Sequence, residues 1–204
     1  MRIWWLDPNG SDLTGNGTYA LPYQTFAKAL SVFHSEDQIR LKDGVYRPTD
    51  SLVFDSVNGS IFADTPLGAT IQPTGVASSP AVIQVSHSTR FSIVGLNILQ
   101  AQNPTNNTLG IQGADVTNFL VYTCDVSAFA APSAVSGLAT VGIAVSGYGR
   151  VEDCAVHDMV SEEEFLCGIY AAGNVDIIGC TVYSLSGTGT ANVLGISHGG
   201  SIPV

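Results

Sequence analysis

Positive charge is what this chain lacks most. Lys and Arg total 7 against 17 Asp and Glu, a formal net charge of −10, and after Arg47 only Arg90 and Arg150 follow. Nucleic-acid binding needs a basic stripe that releases counterions from phosphates, and none exists here. The same deficit disfavours a polyanionic glycan unless a cation bridges the two surfaces; a neutral sugar surface or another protein suits the balance better. Long apolar runs are missing too. Met1 to Leu6 holds no apolar segment of signal-peptide length. Phe129 to Val145 is interrupted by Pro132, Ser133, Ser136, Gly137 and Thr140, so no segment reads as a membrane span. The 4 cysteines, Cys124, Cys154, Cys167 and Cys180, show no CxxC spacing, which weakens a zinc or thioredoxin-type reading. Charged residues make up only 12% and apolar residues 45%, which excludes disorder and a charged helical bundle. What remains is one globular domain, rich in turns, with a sizeable core.

Repeats organise the second half. Val82-Ile83, Gly110-Ile111, Gly142-Ile143, Gly168-Ile169 and Gly195-Ile196 recur with steps of 28, 32, 26 and 27 residues between isoleucines. A second apolar column follows at Ile93, Val121, Val151, Ile177 and Val204. A third stands three residues later at Leu96, Cys124, Cys154 and Cys180, and a fourth two residues beyond at Ile98, Val126, Val156 and Val182. Such columns describe a solenoid: short strands point alternate residues inward, and one coil buries that face only by stacking on the next. The steps vary because loops leave the coil at 101–107, 128–140 and 159–166. A tight corner between the second and third columns favours Gly95, Asp153 and Gly179, which tolerate a left-handed backbone, and disfavours Thr123. Val204 falls on the second column, so the last coil is expected to be incomplete.

The N-terminal quarter reads differently. Ile3-Trp4-Trp5-Leu6 is a first strand, followed by a turn-rich loop from Asp7 to Gly17. Thr25 caps a helix over Phe26 to Phe33, whose Phe26, Ala29, Leu30 and Phe33 share one face. Ile39-Arg40-Leu41 and Gly44-Val45-Tyr46 open the coils. A helix laid over the open strand edge would remove a pairing hazard.

The segments Asp7-Pro8-Asn9-Gly10-Ser11-Asp12, Gly17 to Phe26, and Leu41-Lys42-Asp43-Gly44-Val45-Tyr46 resemble the N-terminal signature of pectate-lyase-like right-handed β-helix proteins. The expected fold is therefore all-β: a right-handed parallel β-helix solenoid with an N-terminal strand and a capping α-helix. Residues 1–50 hold the strand, loop and helix leading into the first coil, and residues 51–204 hold the stacked coils. The resemblance is specific for fold and not for activity, since the superfamily spans polysaccharide lyases, glycoside hydrolases, phage tailspikes and non-catalytic surface proteins.

Several residues carry candidate chemistry. Cys124, Cys154 and Cys180 form an inward packing ladder, with disulfide or metal as the alternative. Cys167 shares the column of Leu109, Val141 and Leu194. Asp125 points outward, and Asp153 stands one coil on, about 8 Å away from strand rise and spacing. That separation fits a glycosidase pair, and His157 and Tyr183 line the same surface. Asp153 as a corner residue and the others as solvated groups is the competing reading. Tyr122, Tyr148, Tyr170 and Tyr183 fall near corners or outward faces, where aromatic rings stack on sugars or stand as ordinary half-buried tyrosines. Asp7, Asn9, Ser11 and Asp12 invite calcium, but Thr18 stands where a calcium loop needs Glu, and turn chemistry explains them better. Glu162, Glu163 and Glu164 read as a solvated loop tip, and Asn106 as only a formal sequon. No metal site and no cofactor is assigned.

What the resemblance implies about catalysis is not matched. A lyase needs a Lys or Arg base, and Arg150 is the only basic residue of the last hundred positions. The arginine and aspartate set of pectate lyases and the paired aspartates of polygalacturonases are absent; Ser197-His198-Gly199-Gly200 only echoes the latter's histidine-glycine element. The expectation is a non-catalytic structural and binding module. The resemblance adds a phage virion role as tailspike, fibre or capsid-associated protein, assembled in the cytoplasm without a signal peptide, displayed on a virion or extracellular surface, and homotrimeric. Its partners would be other virion proteins or glycans. The alternative is part of a polysaccharide-degrading hydrolase or lyase.

Overall fold

Alternating strands with one apolar face gain nothing in isolation, and in this chain each coil hands that face to the next. The computed structural model describes residues 1–74, 81–99, 108–131, 139–161, 165–187 and 192–199. The first sheet stacks strands Ile3–Leu6, Asp37–Leu41, Gly59–Ala63, Phe91–Val94, Thr108–Tyr122, Ala139–Glu152, Phe165–Ile178 and Asn192–His198, in that order. Leu52–Asp55 joins it through Ala81–Ser86, which pairs with Thr108–Tyr122. The second sheet stacks Gly44–Tyr46, Ala69–Ile71, Leu96–Leu99, Asp125–Ser127 and Ala155–Ser161. Thr181–Gly187 and Ala130–Ala131 both pair with Ala155–Ser161. Every pairing is parallel. The molecule is an all-β parallel β-solenoid.

The expected columns are the observed register. Ile111 pairs with Ile83 and Ile143, and Ile169 with Ile143 and Ile196. Val121 pairs with Ile93 and Val151, and Val151 with Ile177. Val126 pairs with Ile98 and Val156, and Val156 with Val182. The core between the sheets is formed by these residues together with Leu6, Ile39, Ile61, Ile71, Phe54 and Phe91. Cys124 and Cys154 are buried within it, whereas Cys180, expected inside, is only half-buried because it belongs to the last described rung of its sheet. All four cysteines are free thiols. The hydrogen bond with the neighbouring Cys124 thiol, and then burial, push the Cys154 thiol up, and burial raises Cys167 to about 11, so neither is a thiolate at neutral pH.

Other expectations are corrected. The corner at Thr123, which the sequence leaves as either strained or differently shaped, is the strained one: its φ of 52° matches 72° at Gly95, 52° at Asp153 and 65° at Gly179. A β-branched residue is therefore held in the left-handed region, where its Cβ crowds the carbonyl. Two of the expected loops are shorter than read, since Ala130–Ala131 and residues 139–140 are strand, as are residues 159–161. Residues 101–107, Glu162 to Glu164, Gly200 and Val204 lie outside the described residues, as does the expectation of an incomplete coil at Val204.

The one helix among the described residues is Phe26–Val32. Thr25 caps it, its Oγ1 accepting from Lys28 N at 3.2 Å, while Asp12 accepts from the Thr25 hydroxyl at 2.5 Å. Phe26 and Ala29 enter the core, with Leu30, Val32 and Phe33 packed against it. The first strand is fixed by the buried Asp37 carboxylate, which accepts from Arg2 N, Trp4 Nε1 and His34 N at 2.7, 3.0 and 3.1 Å.

The repeating Gly-Ile pairs acquire a reason. A Cβ at Gly110, Gly142 or Gly168 would collide with Cγ1 of Val126, Val156 or Val182 across the core. Glycine is thus the residue that lets the two sheets close on the fourth column. Gly142→Ala is expected to destabilise the chain by about 1–3 kcal/mol through overpacking, and Thr123→Gly to stabilise it by up to about 1 kcal/mol through relief of the left-handed corner. Urea unfolding of both variants checks the pair of opposite signs.

Candidate functional site

Inward Val126, Val156 and Val182 force their neighbours outward, because successive side chains in a strand alternate. Register then decides which of those neighbours meet. Ser127 pairs with His157 and His157 with Tyr183, so the two rings lie one above the other, with centroids 4.7 Å apart and planes 6° from parallel. Asp125 is two positions back from Ser127 and one coil away from His157. Its two carboxylate oxygens lie 3.1 and 3.2 Å from His157 Nε2. Asp158 completes the group, with Oδ2 2.9 Å from His157 Nδ1. Strict alternation would send Asp158 inward. Instead its φ of 53° breaks the alternation within the strand, so that Asp158 stays exposed and Met159 is buried.

Both imidazole nitrogens face carboxylates, which favours the doubly protonated ring that donates to each. Partial burial of His157 opposes the charge, but the hydrogen bonds to Asp158 and Asp125 prevail and raise its pKa above the ordinary 6.5. The result is a cation between two anions with an aromatic face on its far side. It can accept hydroxyl hydrogens at the carboxylates and present Tyr183, 48% exposed, as a flat apolar surface.

The candidates read from sequence are only partly brought together. Asp125, His157 and Tyr183 form one cluster. Asp153 stands at its corner, exposed, with its carboxylate against Gly179 of the next corner. Among the described residues no hydrogen bond links it to Asp125 or His157. Tyr122 and Tyr148 belong to the first sheet, 38% and 59% exposed. Tyr170 was expected near the surface and is 4% exposed, packed on Phe165 with centroids 6.4 Å apart in a small apolar cluster with Cys167, Leu109 and Val141. The four tyrosines therefore do not make a single platform.

The segment considered for calcium spends its oxygens on turns. Asp7 Oδ1 accepts from Asn9 N, Ser11 Oγ from Leu13 N and Thr14 N, and Asp12 from Gln24 N and Thr25 N. Among the described residues, no group of three or more His, Cys, Asp and Glu is arranged to hold a metal.

Two groups escaped the sequence reading. Asp158 adjoins His157, but only its left-handed backbone makes it a partner. The second group joins three coils: His87 Nδ1 is 2.7 Å from Asp55 Oδ1, Ser86 Oγ donates to the same oxygen at 2.7 Å, and His87 Nε2 is 4.0 Å from Asp115 Oδ2. His87 is exposed, which makes this a surface ion pair of small energetic weight.

Fold and site together define a parallel β-solenoid with a polar-aromatic patch on its second sheet. No protein-family model matches the sequence, and no curated protein does. Among solved structures, rhamnogalacturonan lyase is similar with a TM-score of 0.52 at 14% identity, over 97% of this chain and 66% of that one. A pectin methylesterase from Erwinia chrysanthemi follows with 0.49 at 12% identity, over 83% and 55% of the two chains. A pectate lyase gives 0.47 at 14%, over 98% and 78%. The first of these shows the fold, and this chain spans just under two thirds of its length.

The raised pKa of His157 has a sign consequence. Its stabilising contribution is full below the unfolded value near 6.5 and is lost as pH rises through the higher folded value. The stability difference between the wild type and His157→Gln should therefore be largest in mildly acidic buffer and shrink toward alkaline pH. A difference independent of pH across that window contradicts the paired imidazolium.

Proposed function

We propose that the chain is a non-catalytic glycan-binding β-solenoid module, whose second sheet binds sugar through Tyr183, His157, Asp125 and Asp158. The stacked His157–Tyr183 pair between two carboxylates carries this reading. Sugar rings offer an apolar face for the aromatic surface and hydroxyls for the carboxylates. The net charge of −10 favours neutral over polyanionic sugars. Asp125 and Asp158 are both committed to His157, which leaves neither as a free general base.

A second reading, part of a polysaccharide-degrading enzyme, draws on the same contact: an imidazolium held by carboxylates is a candidate general acid. The wider role also belongs to this proposal: right-handed winding, closure of the first strand edge by the helix Phe26–Val32, and display on a virion or cell surface as a homotrimer. The last of these rests on the sequence resemblance alone.

Affinity electrophoresis in gels containing neutral polysaccharides should retard the wild type more strongly than Tyr183→Ala, with about a ten-fold loss of affinity at this site for an aromatic contact of this kind. Parallel assays for reducing and unsaturated sugar ends should stay blank. Release of such ends by the wild type, abolished in Asp125→Asn, would establish the enzyme instead. Absence of both retardation and release would defeat both readings.

A further inference from the structure

The first sheet carries a ladder on its outward face that the second-sheet site does not use. Register threads one column through seven coils: Trp5 pairs with Arg40, Arg40 with Phe62, Phe62 with Val94, Val94 with Tyr122, Tyr122 with Glu152 and Glu152 with Ile178. Its neighbours Ile39, Ile61, Ile93, Val121 and Val151 are buried, so the column itself faces out, and all seven of its residues are half-buried or exposed. Aromatic residues occupy the first, third and fifth rungs. Arg40 and Val94 occupy the two rungs between them, and Glu152 and Ile178 follow Tyr122.

Adjacent coils are about 4.8 Å apart, so aromatic rings recur about every 9.6 Å along the axis. That period is close to the length of one disaccharide in an extended β-1,4-linked chain. Of the two intervening rungs, one carries the cationic Arg40 and the other the apolar Val94. The Arg40 guanidinium carbon lies 6.0 Å from the Trp5 ring and 5.1 Å from the Phe62 ring, and its Nε is buried without a hydrogen-bond partner. Tyr19 meets Trp5 edge-on at 4.8 Å, with Lys42 Nζ 4.3 Å from the Tyr19 ring, which widens the aromatic surface at the first rung.

We propose that this column is a second binding surface, for a linear neutral β-1,4-linked glycan laid parallel to the solenoid axis. Trp5, Phe62 and Tyr122 stack on every second sugar ring, and Arg40 addresses the hydroxyls between the first two of them. A helical α-linked chain does not keep the period, and a polyuronate meets the wrong overall charge. The proposal stands apart from the second-sheet site and does not require it.

Calorimetric titration of the full chain with cellohexaose, chitohexaose and maltohexaose tests it. At least one of the two β-1,4 hexaoses should bind, and maltohexaose should not. Tyr122→Ala should weaken binding about five-fold, as expected for loss of one aromatic contact. Placing an aromatic on the next in-phase rung with Ile178→Trp should strengthen it by a similar factor, whereas the out-of-phase Glu152→Trp should not. Both altered side chains are solvent-exposed or half-exposed, so folding is not at stake. Tyr183→Ala, on the other sheet, should leave this binding unchanged. The proposal is overturned if neither β-1,4 hexaose binds, if maltohexaose binds equally, if the two Trp variants behave alike, or if Tyr183→Ala abolishes binding that Tyr122→Ala preserves.

Discussion

Parallel pairing between successive coils is the constraint on which everything else in this molecule depends. Backbone hydrogen bonds fix the spacing of the coils, and the register fixes which side chain lies above which. Each coil alone exposes an apolar face it cannot afford. Stacked, the coils convert Ile111, Ile143 and Ile169 into one ladder and Val126, Val156 and Val182 into another, and the glycines opposite the valines let the two sheets close. The cost appears at the corners, where four successive coils turn through a left-handed residue at Gly95, Thr123, Asp153 and Gly179, whether or not the sequence supplies a permissive one.

The same constraint produces the outward chemistry. Residues far apart in sequence are brought within contact distance only when they share a column or a diagonal. Asp125 and His157 meet across 32 positions because Ser127 pairs with His157. His87 meets Asp55 by the same logic. The faces therefore differ in character: His157, Tyr183 and two carboxylates on the second sheet, and a rung-by-rung alternation of aromatic and non-aromatic residues on the first. In a solenoid, function is written as periodicity along the axis, and a ligand that is itself periodic is the natural reader of it.

Much of the fold was legible in the sequence because burial selects residue type position by position. The four columns from Ile83 onward, the strands at Ile39–Leu41 and Gly44–Tyr46, and Thr25 as the helix cap all follow from pattern. The earlier coils were less legible, since Ile61 and Ile71 lack the Gly-Ile pairs that mark the later ones. The site was legible in part. Column arithmetic brought Asp125, His157 and Tyr183 to one surface. It missed Asp158 because alternation assigns it to the interior, and only a left-handed backbone reverses that. It misjudged Tyr170 because an outward position on a sheet can still be covered, and no pattern along one strand reports what packs over it. The ladder from Trp5 to Ile178 went unseen because it combines coils from both halves of the chain, whose register required the three-dimensional pairing.

The measurement that bears most directly on this account is the inter-coil register in solution, read from backbone NOEs in an isotope-labelled sample. The account predicts contacts joining Val126 to Val156 and Val156 to Val182, with Ser127, His157 and Tyr183 aligned beside them. A register shifted by a single residue, with Asp125 opposite Val156, would exchange the inward and outward faces. It would contradict the core, the His157 cluster and the aromatic period together.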